Sequence, residues 1–216
     1  RGASEARGMS VGLGISIPIE QSDNRYLTHG LHFEFHYFFM RKFWFAYLAK
    51  SLVIFPGGFG TMDEGFEVLT LMQTGKARIF TLVLVDKPGG TYWQTWLEFL
   101  HHHLLKLRLI SADDFNFLHH CESVECAVKH IVRFYHNFHG SRWVGSRLVM
   151  RLQRPLPQKK IEWMDTEFND VLASGKFVQG EALPEESGEP DLADLPRSNP
   201  KGTPAPIVEK LNAMFN

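Results

Sequence analysis

Two apolar runs, each stopped by a proline and glycine turn and followed by a helix-periodic segment, constrain this chain more than any other feature. The first is Leu52–Phe55 before Pro56, Gly57 and Gly58; the second is Ile79–Val85 before the stretch DKPGG. A short apolar run without polar alternation suits a strand buried on both faces, which is the habit of parallel sheets. Thr61–Thr74 follows the first run, with Met62, Phe66, Leu69 and Met72 near a 3.6-residue period and Gly75 as its stop. Tyr92–Leu105 follows the second as a helix. Phe115–His120 reads as one more strand, and Glu122 to about Phe138 as the helix behind it. Strands alternating with helices of this length imply right-handed crossovers. The expected class is α/β, a Rossmann-like parallel sheet with helices on both faces.

Upstream, Val11–Ile19 reads as a short buried strand ended by Pro18. His32–Lys50, free of Gly and Pro and dense in aromatic residues, reads as a buried helix. The chain opens on Arg1, and RGASEARGMSVGLGISIPIE has neither an apolar signal region nor a cleavage pattern. An upstream segment carrying the first strands is expected to belong to the natural product. Residues 1–139 are therefore read as an N-terminally incomplete Rossmann-like domain. Residues 140–216 are read as a C-terminal extension: a strand or hairpin in SRWVGSRLVMRLQRPLP, a helix over Ile161–Ala173, a mobile linker over 180–206, and a small docking helix over Val208–Phe215.

With 216 residues, 44% of them hydrophobic, the chain can bury a real core. A net charge of −1 gives no electrostatic reason to expect a nucleic acid or an anionic membrane as partner. Phe43–Phe55, the longest apolar candidate, is interrupted by Lys50 and Ser51 and is shorter than the roughly 20 residues a spanning helix needs. Cys121 and Cys126 show neither zinc spacing nor a C-x-x-C pair and read as ordinary buried thiols, with a cytoplasmic location as the default. Histidine pairs such as His32 with His36 and His119 with His120, and the run His101–His103, lack a carboxylate or cysteine pattern to complete a metal site, so no metal is expected.

The turn after Phe55 carries the functional question. In an open parallel sheet, ligands collect beyond the carboxyl ends of the strands. Glycines at Gly57, Gly58 and Gly60 let backbone approach an oxyanion closely, and the following helix points its N–H groups and positive dipole end there. The competing reading is structural: Thr61 and Glu64 match a capping box closing the helix start. Established nucleotide fingerprints do not match, since no Walker lysine follows and Asp63 stands where G-x-G-x-x-G needs its last glycine.

Arg41 and Lys42 add to the phosphate reading. The helical neighbours of Arg41 are Tyr37, Phe38, Trp44 and Phe45, so a guanidinium there calls for an anionic partner or a stem long enough to reach water. Lys42, among Phe38, Phe39, Phe45 and Ala46, raises the same demand.

Together, MRKFWFAYLAKSLVIFPGGFGTMDE resembles the paired signature of the Lonely Guy family, an Arg-Lys on a helix followed by P-G-G-x-G-T-x-x-E. The resemblance covers about Val11–Tyr135. It implies a Rossmann-like homodimer that hydrolyses the N-glycosidic bond of a nucleoside 5'-monophosphate such as AMP, releasing base and ribose 5-phosphate with no cofactor. By motif, Arg41 and Glu64 match the catalytic pair. Lys42, Gly57, Gly58, Gly60 and Thr61 match nucleotide and phosphate contacts, and Glu20, in IPIEQ, aligns with an upstream substrate-binding acid. Gly65 departs from the family's large apolar residue. The family has long carried a lysine decarboxylase label, but nothing around Lys50 or Lys76 has the context of a pyridoxal phosphate Schiff base. The alternative from another class is a Rossmann-like module that binds a nucleotide without cleaving it.

Overall fold

The computed structural model describes residues 1–16, 24–145, 147–172, 174–180, 183 and 197–198. The chain divides into two compact units, Arg1–Ala49 and Lys50–Asn216.

The first unit begins with a single helical turn, α1 (Gly2–Glu5), and contains two short parallel strands, β1 (Gly12–Ile15) and β2 (His32–Phe35), in register from Gly12 opposite His32 to Ile15 opposite Phe35. The part of the expected first strand beyond Ser16, and Glu20 with it, lies outside the described residues. The region read as one helix from His32 is in fact a strand followed by helix α2 (Phe38–Leu48), with Tyr37 still extended at its N-cap. His32, Phe33, Glu34 and Phe35 alternate polar and apolar, a period of two that the aromatic density of the segment masks.

The expectation that this helix is buried is overturned: α2 has no buried residue, and Phe39 is 66% exposed. A helix apolar all round needs cover on every side. The two-stranded sheet of its own unit is too small to provide it. The aromatic side chains pack on one another along the helix instead, Phe43 stacking on Tyr47 one turn later with ring centroids 5.6 Å apart.

The second unit is built on a parallel sheet in the order β3 (Ser51–Ile54), β4 (Thr81–Val85), β5 (Leu118–Cys121). Every residue of β4 is buried, as a central parallel strand requires. Its side chains alternate between two cores. Leu82 and Leu84 join Leu52, Ile54, Val68, Met72 and Trp93 on one face, under α3 (Phe59–Gln73) and α4 (Tyr92–Phe99). Val83 and Val85 pack with Cys121 and Ala127 on the other, under α5 (Val124–Phe134). The α/β reading, with helices on both faces of a parallel sheet, therefore holds.

Helix α3 ends as the sequence implies. Gly75 takes φ +67°, and the amides of Gly75 and Lys76 return to the carbonyls of Met72 and Leu71, so a left-handed glycine closes the last turn. After α4 the chain continues as a π-helical turn over Leu100–Leu105, within the single helix expected there. The next strand starts later than expected, because Asp113–Phe117 forms a 3-10 turn that buries Phe117 beneath the sheet.

A hairpin follows, β6 (Phe138–Val144) with β7 (Arg147–Leu152), turning at Gly145 with φ +57°. Helix α6 (Gln158–Glu167) comes next, and the short strands β8 (Gln179–Gly180) and β9 (Arg197–Ser198) complete an antiparallel sheet in the order β6, β7, β9, β8. Leu148, Met150, Ile161, Met164 and Phe177 enter the same core as Leu82 and Trp93. Most of the linker read over 180–206, and all of the docking helix read over 208–215, lie outside the described residues.

Candidate functional site

The glycine turn sits where the sequence places it, at the carboxyl end of β3 and running into α3. Its local design differs from a capping box. Gly58, in an extended conformation, is the N-cap, so the helix begins at Phe59 and no side chain caps it. Thr61 then falls at the third helical position, where its amide and that of Met62 bond back to the Gly58 carbonyl at 3.1 and 3.2 Å. With the N-cap three residues earlier, at Gly58, Thr61 leaves the position that a capping box requires, and the glycine that replaces it offers the first-turn amides no side-chain acceptor of its own.

The glycines divide by their surroundings. A Cβ at Gly57 would lie 2.1 Å from Thr61 Oγ1, so only glycine lets the threonine fold back there. A Cβ at Gly58 or Gly60 would meet nothing within 4 Å. Local packing explains the first glycine and not the other two. Gly65, the departure from the family pattern, is buried with its Cα turned to β3, where a Cβ would come 3.3 Å from Ile54 Cδ1. Glycine there seats α3 close on the sheet.

Tyr92, at the start of α4, donates its phenol hydrogen to the Gly57 carbonyl at 2.5 Å and so ties the turn to the next strand–helix unit. Asp86, at the end of β4 and 4% exposed, accepts from the Trp93 amide at 3.0 Å and faces His120 Nε2 at 3.1 Å. One buried carboxylate thereby holds the first turn of α4 and a side chain of β5.

These strand ends open on a cleft of about 770 Å³, lined by Phe55, Pro56, Asp86, Lys87 and Tyr92 and by the segment Glu122–Glu125, among others. Gly57, Gly58, Gly60, Thr61 and Glu64 are not among its lining residues. Asp86 and Tyr92 are not singled out in the sequence, and His120 is weighed there only as half of a histidine pair. The signal for Asp86 and Tyr92 is the DKPGG stretch ending β4, a second strand-end turn beside the first.

Glu64 lies on α3, half-buried, one turn past the glycines; Thr61 is half-buried as well. Arg41 and Lys42 belong to the first unit, on α2, and are more covered than the aromatic residues flanking them. The Arg41 guanidinium lies 6.0 Å from the Phe38 ring centroid, a cation over an aromatic face as the helical spacing implied.

Cys121 and Cys126 are not free thiols as expected. They form a disulfide, with Cα atoms 5.7 Å apart. The chain leaves β5 at Cys121 and re-enters a helix at Val124, and this reversal brings the two residues within bridging range. Next to them the rings of His119 and His130 stack with centroids 3.7 Å apart. Burial, then the charge of His120, lowers the His119 pKa; burial, then His119 and Arg133, lowers that of His130 to about 4. Both shifts favour the uncharged form of the stacked pair.

No helix among the described residues is long and apolar enough to cross a membrane. No curated protein matches the chain. A family model described as "Possible lysine decarboxylase" matches residues 1–131, more than half of the chain. The chain belongs to that family, the one to which the Lonely Guy resemblance of its Arg-Lys helix and P-G-G-x-G-T-x-x-E turn had pointed.

Proposed function

We propose that this protein hydrolyses the N-glycosidic bond of nucleoside 5'-monophosphates, releasing free base and ribose 5-phosphate without a cofactor, and that it works as a homodimer in the cytoplasm. The observation that carries the reading is the α3 start: two glycines with open space where a side chain would stand, and a helix whose N-cap is itself a glycine, at the carboxyl end of a parallel strand. Gly57, Gly58, Gly60 and Thr61 hold the phosphate, with Lys42 as a further nucleotide contact and Glu20 as a substrate-binding acid.

Cleavage passes through an oxocarbenium-like state at the anomeric carbon. The Glu64 carboxylate stabilises that charge and orients or deprotonates the attacking water. Arg41 neutralises phosphate or assists the departing base, and one such positioned charge is commonly worth about 3 kcal/mol in the transition state. The exposed aromatic residues of α2 supply the dimer face, since an apolar helix surface of this extent favours a protein partner over water.

The test is AMP incubated with the full chain and with Glu64→Gln. Wild type releases adenine, while the variant binds AMP with similar affinity and releases none. Unchanged turnover in the variant removes Glu64 from the chemistry. Tight AMP binding with no base released by wild type converts the protein into a nucleotide-binding module.

A further inference from the structure

The hydrolase reading makes no use of the far side of β5. There, His119 and Cys121, two residues apart on the strand, face α5 together, because alternate side chains share one face of a sheet. Cys126 meets them from the first turn of α5, held by its amide bond to the Ser123 hydroxyl at 3.1 Å. His130, one turn further along the same helix, stacks on His119. The donor atoms of His119, Cys121 and Cys126 all lie within 4.8 Å of one another. Tetrahedral zinc, with Zn–S of about 2.3 Å and Zn–N of about 2.0 Å, sets its ligand atoms roughly 3.5–3.8 Å apart, a spacing reached when the two sulfurs part on reduction and the imidazole draws in by side-chain rotation.

We propose that, once the disulfide is reduced, His119, Cys121 and Cys126 bind one thiophilic divalent cation of the zinc class. Two sulfurs and an imidazole select such an ion over magnesium or calcium, which prefer oxygen. The fourth position goes to water or, after a ring rotation, to His130.

The chemistry balances in two steps. A dithiol or phosphine reductant delivers two electrons, breaking the Cys121–Cys126 bond to give two thiols while it is itself oxidised. The cation then replaces the two thiol protons, which pass to solvent. Disulfide and metal site are mutually exclusive states of the same sulfurs. The segment between them, Glu122–Glu125, lines the cleft at the strand ends, so either state ties one wall of that cleft to the sheet. The spacing H-x-C-x4-C matches no familiar zinc pattern in the sequence; the strand, turn and helix bring the ligands together.

The experiment uses the full chain, reduced with a phosphine, stripped with chelator and titrated with Zn²⁺, and in parallel the chain oxidised with diamide. The reduced chain is expected to take one equivalent tightly, and Co²⁺ in its place to give a thiolate-to-metal charge-transfer band. The oxidised chain is expected to show neither. Cys126→Ser leaves at most the weaker band of the single Cys121 thiolate, and His119→Ala weakens Zn²⁺ binding by 10-fold or more. Failure of the reduced chain to bind, or equal binding by the oxidised chain through surface histidines, overturns the proposal. Because the two redox states of the wild type are compared directly, the result stands even where a variant fails to fold. It is also independent of nucleotide hydrolysis.

Discussion

Three single substitutions separate the glycine that the fold requires from those kept open for a ligand. Gly57→Ala places a methyl carbon 2.1 Å from Thr61 Oγ1 and 2.9 Å from Thr61 Cβ, both far inside van der Waals contact. Relief requires Thr61 to rotate and the turn to shift, and overpacking of this kind costs about 1–3 kcal/mol. At about 2–4 °C per kcal/mol for a domain of this size, the midpoint of thermal unfolding should fall by roughly 2–12 °C. Adding Thr61→Ala removes the nearest atom but leaves Cβ, so a double-mutant cycle should recover part of the loss. Gly58→Ala meets no atom within 4 Å at an ordinary φ of −90° and should cost less than about 1 kcal/mol. Gly60→Ala, inside the helix, should be neutral or stabilising by up to about 1 kcal/mol. Yet both should weaken AMP binding at least about tenfold, a loss of about 1.4 kcal/mol, because each sets a methyl between the amides and the phosphate. Thermal unfolding and calorimetric AMP titration read the two effects separately. A wild-type melting point for Gly57→Ala refutes the packing argument, and undiminished AMP binding by Gly58→Ala and Gly60→Ala refutes the cradle.

Asp86→Ala should destabilise by about 2–4 kcal/mol in urea unfolding, since it strands the buried Trp93 amide and the His120 ring, whereas Asp86→Asn should recover part of that by keeping one acceptor oxygen. Tyr135 donates its phenol hydrogen to the Lys50 carbonyl, and burial raises its pKa to about 12. The folded pKa lies above the unfolded value near 10, so the stability this phenol contributes is complete below pH 10 and drains away as pH rises toward 12. Tyr135→Phe should therefore be about 1 kcal/mol less stable than wild type at pH 8, with the gap closing above pH 10; a gap constant to pH 12 contradicts the assignment.

Much of this protein is legible in local pattern. Leu52–Phe55 and Ile79–Val85 announce buried parallel strands by their largely apolar character, broken only by Thr81, Gly75 announces the end of α3, and the P-G-G-x-G-T-x-x-E stretch announces the family, because each signal is carried by residues adjacent in the chain. Other features depend on partners that arrive from elsewhere. The start of α3 at Phe59 is decided by Gly58 adopting the N-cap and by Thr61 folding against Gly57, where the sequence pattern alone favours a capping box. The strand at His32–Phe35 is hidden by aromatic density. The exposure of α2 follows from how little sheet its own unit contains, a quantity no window of residues reports. Asp86 reaching α4 and His120 at once is a consequence of β5 pairing beside β4, and Cys121 meeting Cys126 beside His119 is one of the chain reversing between β5 and α5. Sequence determines which segments become strands and helices, since propensity and periodicity act within a few residues. Which side chains then face one another is settled only when the sheet orders β3, β4 and β5 and fixes the distances between them.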